Sequence, residues 1–310
     1  MTERRATREA FGAVLIELAR AGRDIVALDA DLASSTTTAK FGAEFPERFF
    51  NVGVAEQNMI GIAAGLAASG KIAYTGSFAV FATGRAYDQI RNTVCYGNLD
   101  VKVCPTHAGL TVGADGASHQ ALEDIALMRA LPNMKVIVPA DVYEAAAALR
   151  AAADIEGPVF VRLGRAPVPV VYDESRIFTL GKADVLAQGT DVTIIACGVM
   201  VGAALGAREL LGAEGVRAEV INCSSIKPLD VETIISSASK TGRVVTAEEH
   251  TVQGGLGGAI AEVLSEQHPT PMKRVGVFDM FGTSGAADEL LAAYGLTSAD
   301  IAEAARSLLG

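Results

Sequence analysis

The chain has no tryptophan, and aromatic residues make up only 5% of its 310 positions. Any core must therefore be filled by aliphatic and small side chains. Half of the residues are hydrophobic and 32 are glycine, a balance that suits α/β layers in which helices lie close on a sheet. Cysteine is scarce: Cys95, Cys104, Cys197 and Cys223 include no CxxC pair. They read as buried thiols of a reducing cytoplasm, not as disulfides or a metal site. Positive charge is also short, with a formal net charge of -10, which argues against nucleic acid as a partner. A phosphorylated substrate would need a local basic pocket. No apolar run is long enough to span a membrane, and the N-terminal MTERRATREAF has no apolar signal-peptide core. A cytoplasmic protein is expected.

The length allows two domains with real cores. Short apolar runs alternate with helical periods. Helices are predicted over 7–21, 55–68, 85–96, 121–130 and 142–153, and strands over 24–28, 72–74, 101–104, 135–138 and 159–161. This alternation predicts a parallel sheet covered by helices. The pattern lapses over 166–190, where proline, a charge cluster and the loss of helical period coincide; this reads as an interdomain crossing. A second α/β set follows, with strands over 192–196, 218–222, 244–247 and 274–277. Its helices lie near 201–211, 231–237, 256–266 and 299–309. The domains are accordingly drawn as 1–170, a linker over 171–190, and 191–310.

Chemistry concentrates in a few runs. NVGVAEQNMIGIAAGLA, residues 51–67, places Glu56 at the start of an apolar, small-residue helix. A carboxylate there either sits at a surface helix N-terminus, favoured by the macrodipole, or lies in a site where its proton is used. THAGLTVGADGASHQ, residues 106–120, holds His107, Asp115 and His119 among glycines that let backbone approach a ligand. No further ligand stands at zinc spacing. Phe78 and Phe81 lie three residues apart in TGSFAVFATGRAYDQIRN, a spacing that also fits ordinary core packing. GGLGG at 254–258 lacks the dinucleotide GxGxxG spacing and is assigned to helix packing.

These runs, with PNMKVIVPAD at 132–141 and VTAEEHTVQGGLGGAIAEVL at 245–264, resemble the C-terminal half of the transketolase family of thiamine diphosphate enzymes. The resemblance covers nearly the whole chain. It implies an α/β thiamine diphosphate-binding fold: a pyrimidine-binding domain, a parallel sheet with helices on both faces, followed by a smaller α/β transketolase C-terminal domain. It implies that Glu56 contacts the aminopyrimidine ring nitrogen of thiamine diphosphate, where a low-dielectric pocket strengthens the shared hydrogen bond. Phe78 and Phe81 would stack on that ring. Asp31 and Leu32 match positions beside the cofactor, Leu32 as an apolar wedge holding its bent shape or as plain core. His107 matches a sugar-phosphate contact and Asp115 a substrate-hydroxyl contact. His119 matches a contact to the donor's carbonyl-end oxygens that relays protons. Arg8, Ser35 and Arg165 match phosphate ligands, with Arg162 an alternative to Arg165. Where the family often has a third aromatic, this chain has Gly84, with Tyr87 further along; no role passes to either.

The family binds magnesium and the diphosphate through a GDG motif, which this sequence lacks. The resemblance thus implies a second polypeptide carrying that motif and most of the magnesium site, in an assembly with two copies of each chain. The function expected is transfer of a two-carbon ketol unit from a ketose phosphate to an aldose phosphate. The alternatives are a 2-oxoacid dehydrogenase beta subunit, a deoxyxylulose-phosphate synthase-like enzyme, a transketolase for an unusual pentulose phosphate, or a subunit that kept the fold and lost the reaction.

Overall fold

The computed structural model describes residues 3–310. Seven strands form the first sheet, in the order Ser225–Lys227, Lys135–Ile137, Val159–Val161, Val101–Val103, Ile72–Gly76, Ile25–Asp29 and Phe49–Asn51. All neighbours are parallel except the first pair. The Ile25–Asp29 strand, next to the Phe49–Asn51 edge, is buried throughout, as expected where helices cover both faces. Its residues alternate between two cores. Val26 and Leu28 join Met59 and Ile60 of the Glu56–Ala68 helix. Ile25 and Ala27 join Phe11 and Leu15 of the Glu9–Arg20 helix, together with Leu149 of Val142–Ala152. Asp141 caps the latter helix by accepting from the Tyr143 and Glu144 amides at 3.0 and 2.9 Å, satisfying donors that a helix start leaves free.

Five strands form the second sheet, in the order Met272–Val277, Val244–Thr251, Val192–Ala196, Ala218–Asn222 and Asp184–Ala187, the last antiparallel. Met200–Ala213 and Ser298–Leu309 cover one face, with Ile301 and Ala305 buried against Ile194 and Val245. On the other face, Ile234 and Ile260 of Val231–Thr241 and Leu256–Gln267 meet Ile195 and Ile221. That apolar cluster continues without a break to Val26 and Met59 under the first sheet. No described helix is long and apolar enough to cross a membrane, and all four cysteines are buried.

Beyond unexpected short elements at Ala39–Glu44, Phe49–Asn51 and Ala287–Ala293, three differences from the sequence reading stand out. The helix expected over 85–96 is a π-helical Val80–Arg85, a single turn at Tyr87–Gln89 and a second π segment, Ile90–Cys95. Hydrophobic periodicity does not distinguish the wider turn from an α-helix. The stretch read as a crossing contains a short strand at Val168–Pro169, paired with Arg4–Arg5, and the Asp184–Ala187 edge strand. Finally, Ser225–Lys227 leaves the second half of the chain to pair with Lys135–Ile137 in the first sheet. Ser225 and Lys227 flank a single apolar residue, Ile226, so the sequence holds no apolar run there.

Candidate active site

Ile25–Asp29, Ile72–Gly76 and Val101–Val103 are neighbours in the first sheet, and their carboxyl ends open into the segments that hold most of the candidate residues. Ligands of open α/β sheets bind beyond such strand ends. Buried Asp29 organises the first segment. Its carboxylate accepts from the Leu32 amide at 2.6 Å and from the Thr36 and Thr38 hydroxyls at 2.7 and 2.9 Å. That turn holds Asp31 at φ 66° and leaves Leu32 half-buried and outside the apolar clusters. His107, near the start of the third segment, has φ 58°. Left-handed backbone costs a non-glycine residue of order 1–3 kcal/mol and concentrates at functional sites.

Glu56 opens its helix with only 2% of its surface exposed. The sequence predicts apolar neighbours for it. Met59 and Ile60 are indeed buried, but Val54 is exposed and Arg85 closes the carboxylate. Arg85 Nη1 donates to both carboxylate oxygens, at 3.0 and 2.8 Å. Its guanidinium also lies over the Phe81 ring, 4.6 Å from the centroid. Phe81 and Arg85 lie four positions apart in the π segment Val80–Arg85. A Cβ added at Gly84 in that turn would meet nothing within 4 Å.

An isolated bridge between Phe78 and Thr106 brings the second and third segments together. The Phe78 ring stacks on His107 at 3.7 Å, and His119 presents its edge to Phe81 at 5.2 Å. His107 is 2% exposed. Its Nδ1 lies 2.7 Å from the Thr106 hydroxyl and its Nε2 lies 3.5 Å from Arg8 Nη1. An arginine has only donors, so Nε2 accepts and Nδ1 carries the proton. Burial, and then the charges of Arg8 and Arg165, press the His107 pKa down to about 3. The ring is neutral.

Arg8 donates to the Ser35 carbonyl at 2.8 Å, and its pKa is lowered by burial and by the neighbouring Arg165. Arg165 donates to the Val112 carbonyl and stands 3.6 Å from Asp115. Two guanidiniums thus stand near His107, with the half-exposed Asp115 carboxylate beside Arg165. Arg162 is not their alternative: it is buried and bonded to Asp124 at 2.8 and 3.1 Å. The site therefore gathers Arg8, Asp31, Leu32, Ser35, Glu56, Phe78, Phe81, His107, Asp115, His119 and Arg165 around one end of the first sheet.

A family model described as the transketolase pyrimidine-binding domain matches residues 3–170, and one described as the transketolase C-terminal domain matches 181–301. The chain belongs to the transketolase family. It is 51% identical over 299 residues to a putative transketolase C-terminal section of Methanocaldococcus jannaschii, covering 96% of this chain and 94% of that one. It is 46% identical over 301 residues to a 6-deoxy-6-sulfo-D-fructose transketolase subunit of a Clostridium species, covering 97% and 94%. A solved structure of a split-gene transketolase, described as an inactive beta4 tetramer, superposes with a TM-score of 0.90 at 52% identity, covering 98% of each chain.

Family membership implies dependence on thiamine diphosphate, and the residues present fit its pyrimidine end. A planar, N–H-donating group already rests on Phe81 and bonds buried Glu56, namely the Arg85 guanidinium. An aminopyrimidine makes the same two demands. The sequence contains Arg85 in the RAYDQ run, but nothing in it ties that residue to Glu56. Asp29 and Glu249 likewise carry no signal in the sequence. Burial pushes the Glu249 carboxyl up to about 7, against the opposing pull of Arg162.

Proposed function

We propose that this chain is the pyrimidine-binding subunit of a two-chain cytoplasmic transketolase, moving a two-carbon ketol unit from a ketose phosphate to an aldose phosphate. Its partner is a separate chain with the GDG motif that holds the diphosphate and magnesium, in an assembly with two copies of each. The 52%-identical split-gene transketolase is inactive as a beta4 tetramer, which supports dependence on such a partner. Thiamine diphosphate, when bound, supplies the nucleophilic carbon that ketol transfer requires.

The observation that carries this reading is the Glu56–Arg85–Phe81 arrangement. Glu56 holds a proton at the pyrimidine ring nitrogen once the half-exposed Arg85 gives way. Phe78 and Phe81 form the aromatic bed, and Leu32 supports the cofactor from the opposite segment beside Asp31. Arg8, Arg165, Ser35 and neutral His107 bind the sugar phosphate, since guanidiniums pair well with tetrahedral oxyanions. Asp115 orients a substrate hydroxyl. His119, half-buried beside the aromatic rings, moves a proton at the donor's carbonyl-end oxygen.

A sulfonated sugar is a second substrate class for the same two arginines, because a sulfonate is tetrahedral and anionic like a phosphate. The sulfofructose named for the Clostridium relative supports including it. The test is to isolate the tagged chain from its own cells and assay the complex for thiamine-dependent ketol transfer, with pentose phosphates and a 6-sulfo-ketose as donors. A co-purifying GDG-containing chain and cofactor-dependent transfer are expected. Decarboxylation of a 2-oxoacid instead would move the chain to the dehydrogenase branch.

A further inference from the structure

The loop from His107 to His119 belongs to the first half of the chain but is anchored by the second. Leu110 is buried in the apolar cluster of the second sheet, with Leu290 and Val245. The Ser284 hydroxyl donates to the Ala114 carbonyl at 2.7 Å, and Gln120 Nε2 donates to the Thr283 carbonyl at 2.9 Å. The tightest anchor is Glu249, in the Val244–Thr251 strand. Its Oε1 accepts from the Thr111 amide at 2.6 Å, and its Oε2 faces Arg162 at 3.7 Å with no hydrogen bond of its own.

Glycine makes this approach possible. A Cβ at Gly109 would lie 2.2 Å from the Glu249 carboxyl carbon, and Gly109 holds φ 77°. The loop therefore turns over the carboxylate itself, only two residues after strained His107. Arg162 completes the link by donating to the Ala121 and Glu249 carbonyls, at 3.2 and 3.1 Å, while paired with Asp124.

We propose that Glu249 is a positioning residue for substrate binding: it reaches from the C-terminal domain to fix the loop that carries His107, Asp115 and His119. What that loop binds rests on the transketolase reading. Glu249 touches no substrate and acts through the Thr111 amide. Thr111 lies four residues from His107, whereas His119 is held separately by the neighbouring Gln120 on the Thr283 carbonyl, so losing the Glu249 contact weakens binding of the anionic end more than it slows the chemical step, and the effect falls on KM.

The test compares Glu249→Ala and Glu249→Gln in the reconstituted two-chain complex. Glutamine keeps an acceptor for the Thr111 amide and alanine removes it. For Glu249→Ala, KM for the ketose phosphate is expected to rise about tenfold with kcat within about threefold, while Glu249→Gln stays near the parent. Hydrogen exchange of a peptide spanning 107–120, measured on this chain, is expected to accelerate in the alanine variant and to return toward the parent with glutamine. Unchanged exchange in Glu249→Ala would overturn the anchor. Faster exchange with an unaltered KM would overturn the positioning role and leave a structural one. A parent complex without ketol transfer would overturn the function, while the exchange measurement still decides the anchor.

Discussion

At the scale of single residues, His107 carries a consequence that follows from its protonation. Its native pKa of about 3 lies below the ordinary 6.5. Between those values the unfolded chain binds a proton that the folded chain refuses, so stability rises with pH across this window and is lost on acidification. At about 1.4 kcal/mol per unit, lowering the pH from about 6.5 to 5 should cost the chain about 2 kcal/mol through this residue alone. His107→Asn, which tolerates left-handed backbone, should remove that part of the slope. Urea unfolding midpoints at the two pH values check this. Glu56 makes a second prediction. Glu56→Gln keeps a hydrogen-bonding amide but cannot share a proton in the same way, and it loses the charge facing Arg85. Ketol transfer should fall at least about 100-fold while the complex still assembles, as read by turnover and gel filtration of the same sample. Unchanged turnover would remove Glu56 from the chemistry.

At the scale of elements, the Glu9–Arg20 helix meets the Ser35 turn through Gly12. A Cβ there would lie 2.2 Å from the Thr37 carbonyl oxygen, and the Gly12 amide donates to the Thr37 hydroxyl at 3.0 Å. Gly12→Ala should therefore push Arg8 away from Ser35. Overpacking of this kind costs about 1–3 kcal/mol, and here it should also raise KM for a phosphorylated donor. Thermal melting and steady-state kinetics report the two effects separately. The same scale explains what the sequence disclosed. Strands buried on both faces were legible because such burial leaves continuous apolar runs, as in Ile25–Asp29. The amphipathic helices were legible from their period. The π turns were not, since inserting one residue into a coil leaves its composition unchanged. Among site residues, His107, Asp115 and His119 were marked by the family resemblance of the glycine-rich run that holds them, not by spacing alone. Arg85 and Glu249 did not, because each acts on a partner distant in the chain, at 29 and 138 residues.

At the scale of the molecule, the second half of the chain lends a strand to the first sheet, and the two sheets share one core. Ser225–Lys227 covers the edge at Lys135–Ile137, and one apolar cluster runs from Val26 to Ile260. A fragment ending at residue 170 would leave that edge open and the apolar face beneath it uncovered. Open edges of this kind pair with other chains, so the fragment should aggregate or bind hydrophobic dyes, whereas the full chain should unfold in one cooperative transition. Light scattering of the fragment and calorimetry of the full chain check this. Two separate melts in the full chain would show that the halves are energetically independent.

The borrowed strand also imposes an order in time. During synthesis, a domain ordinarily closes soon after its own last residue leaves the ribosome. The first sheet cannot do so, because its terminal strand is Ser225–Lys227. It waits with one flank open while much of the second half is translated. Holdase chaperones that bind nascent chains should therefore stay engaged past residue 170 and release only after residue 227 has emerged.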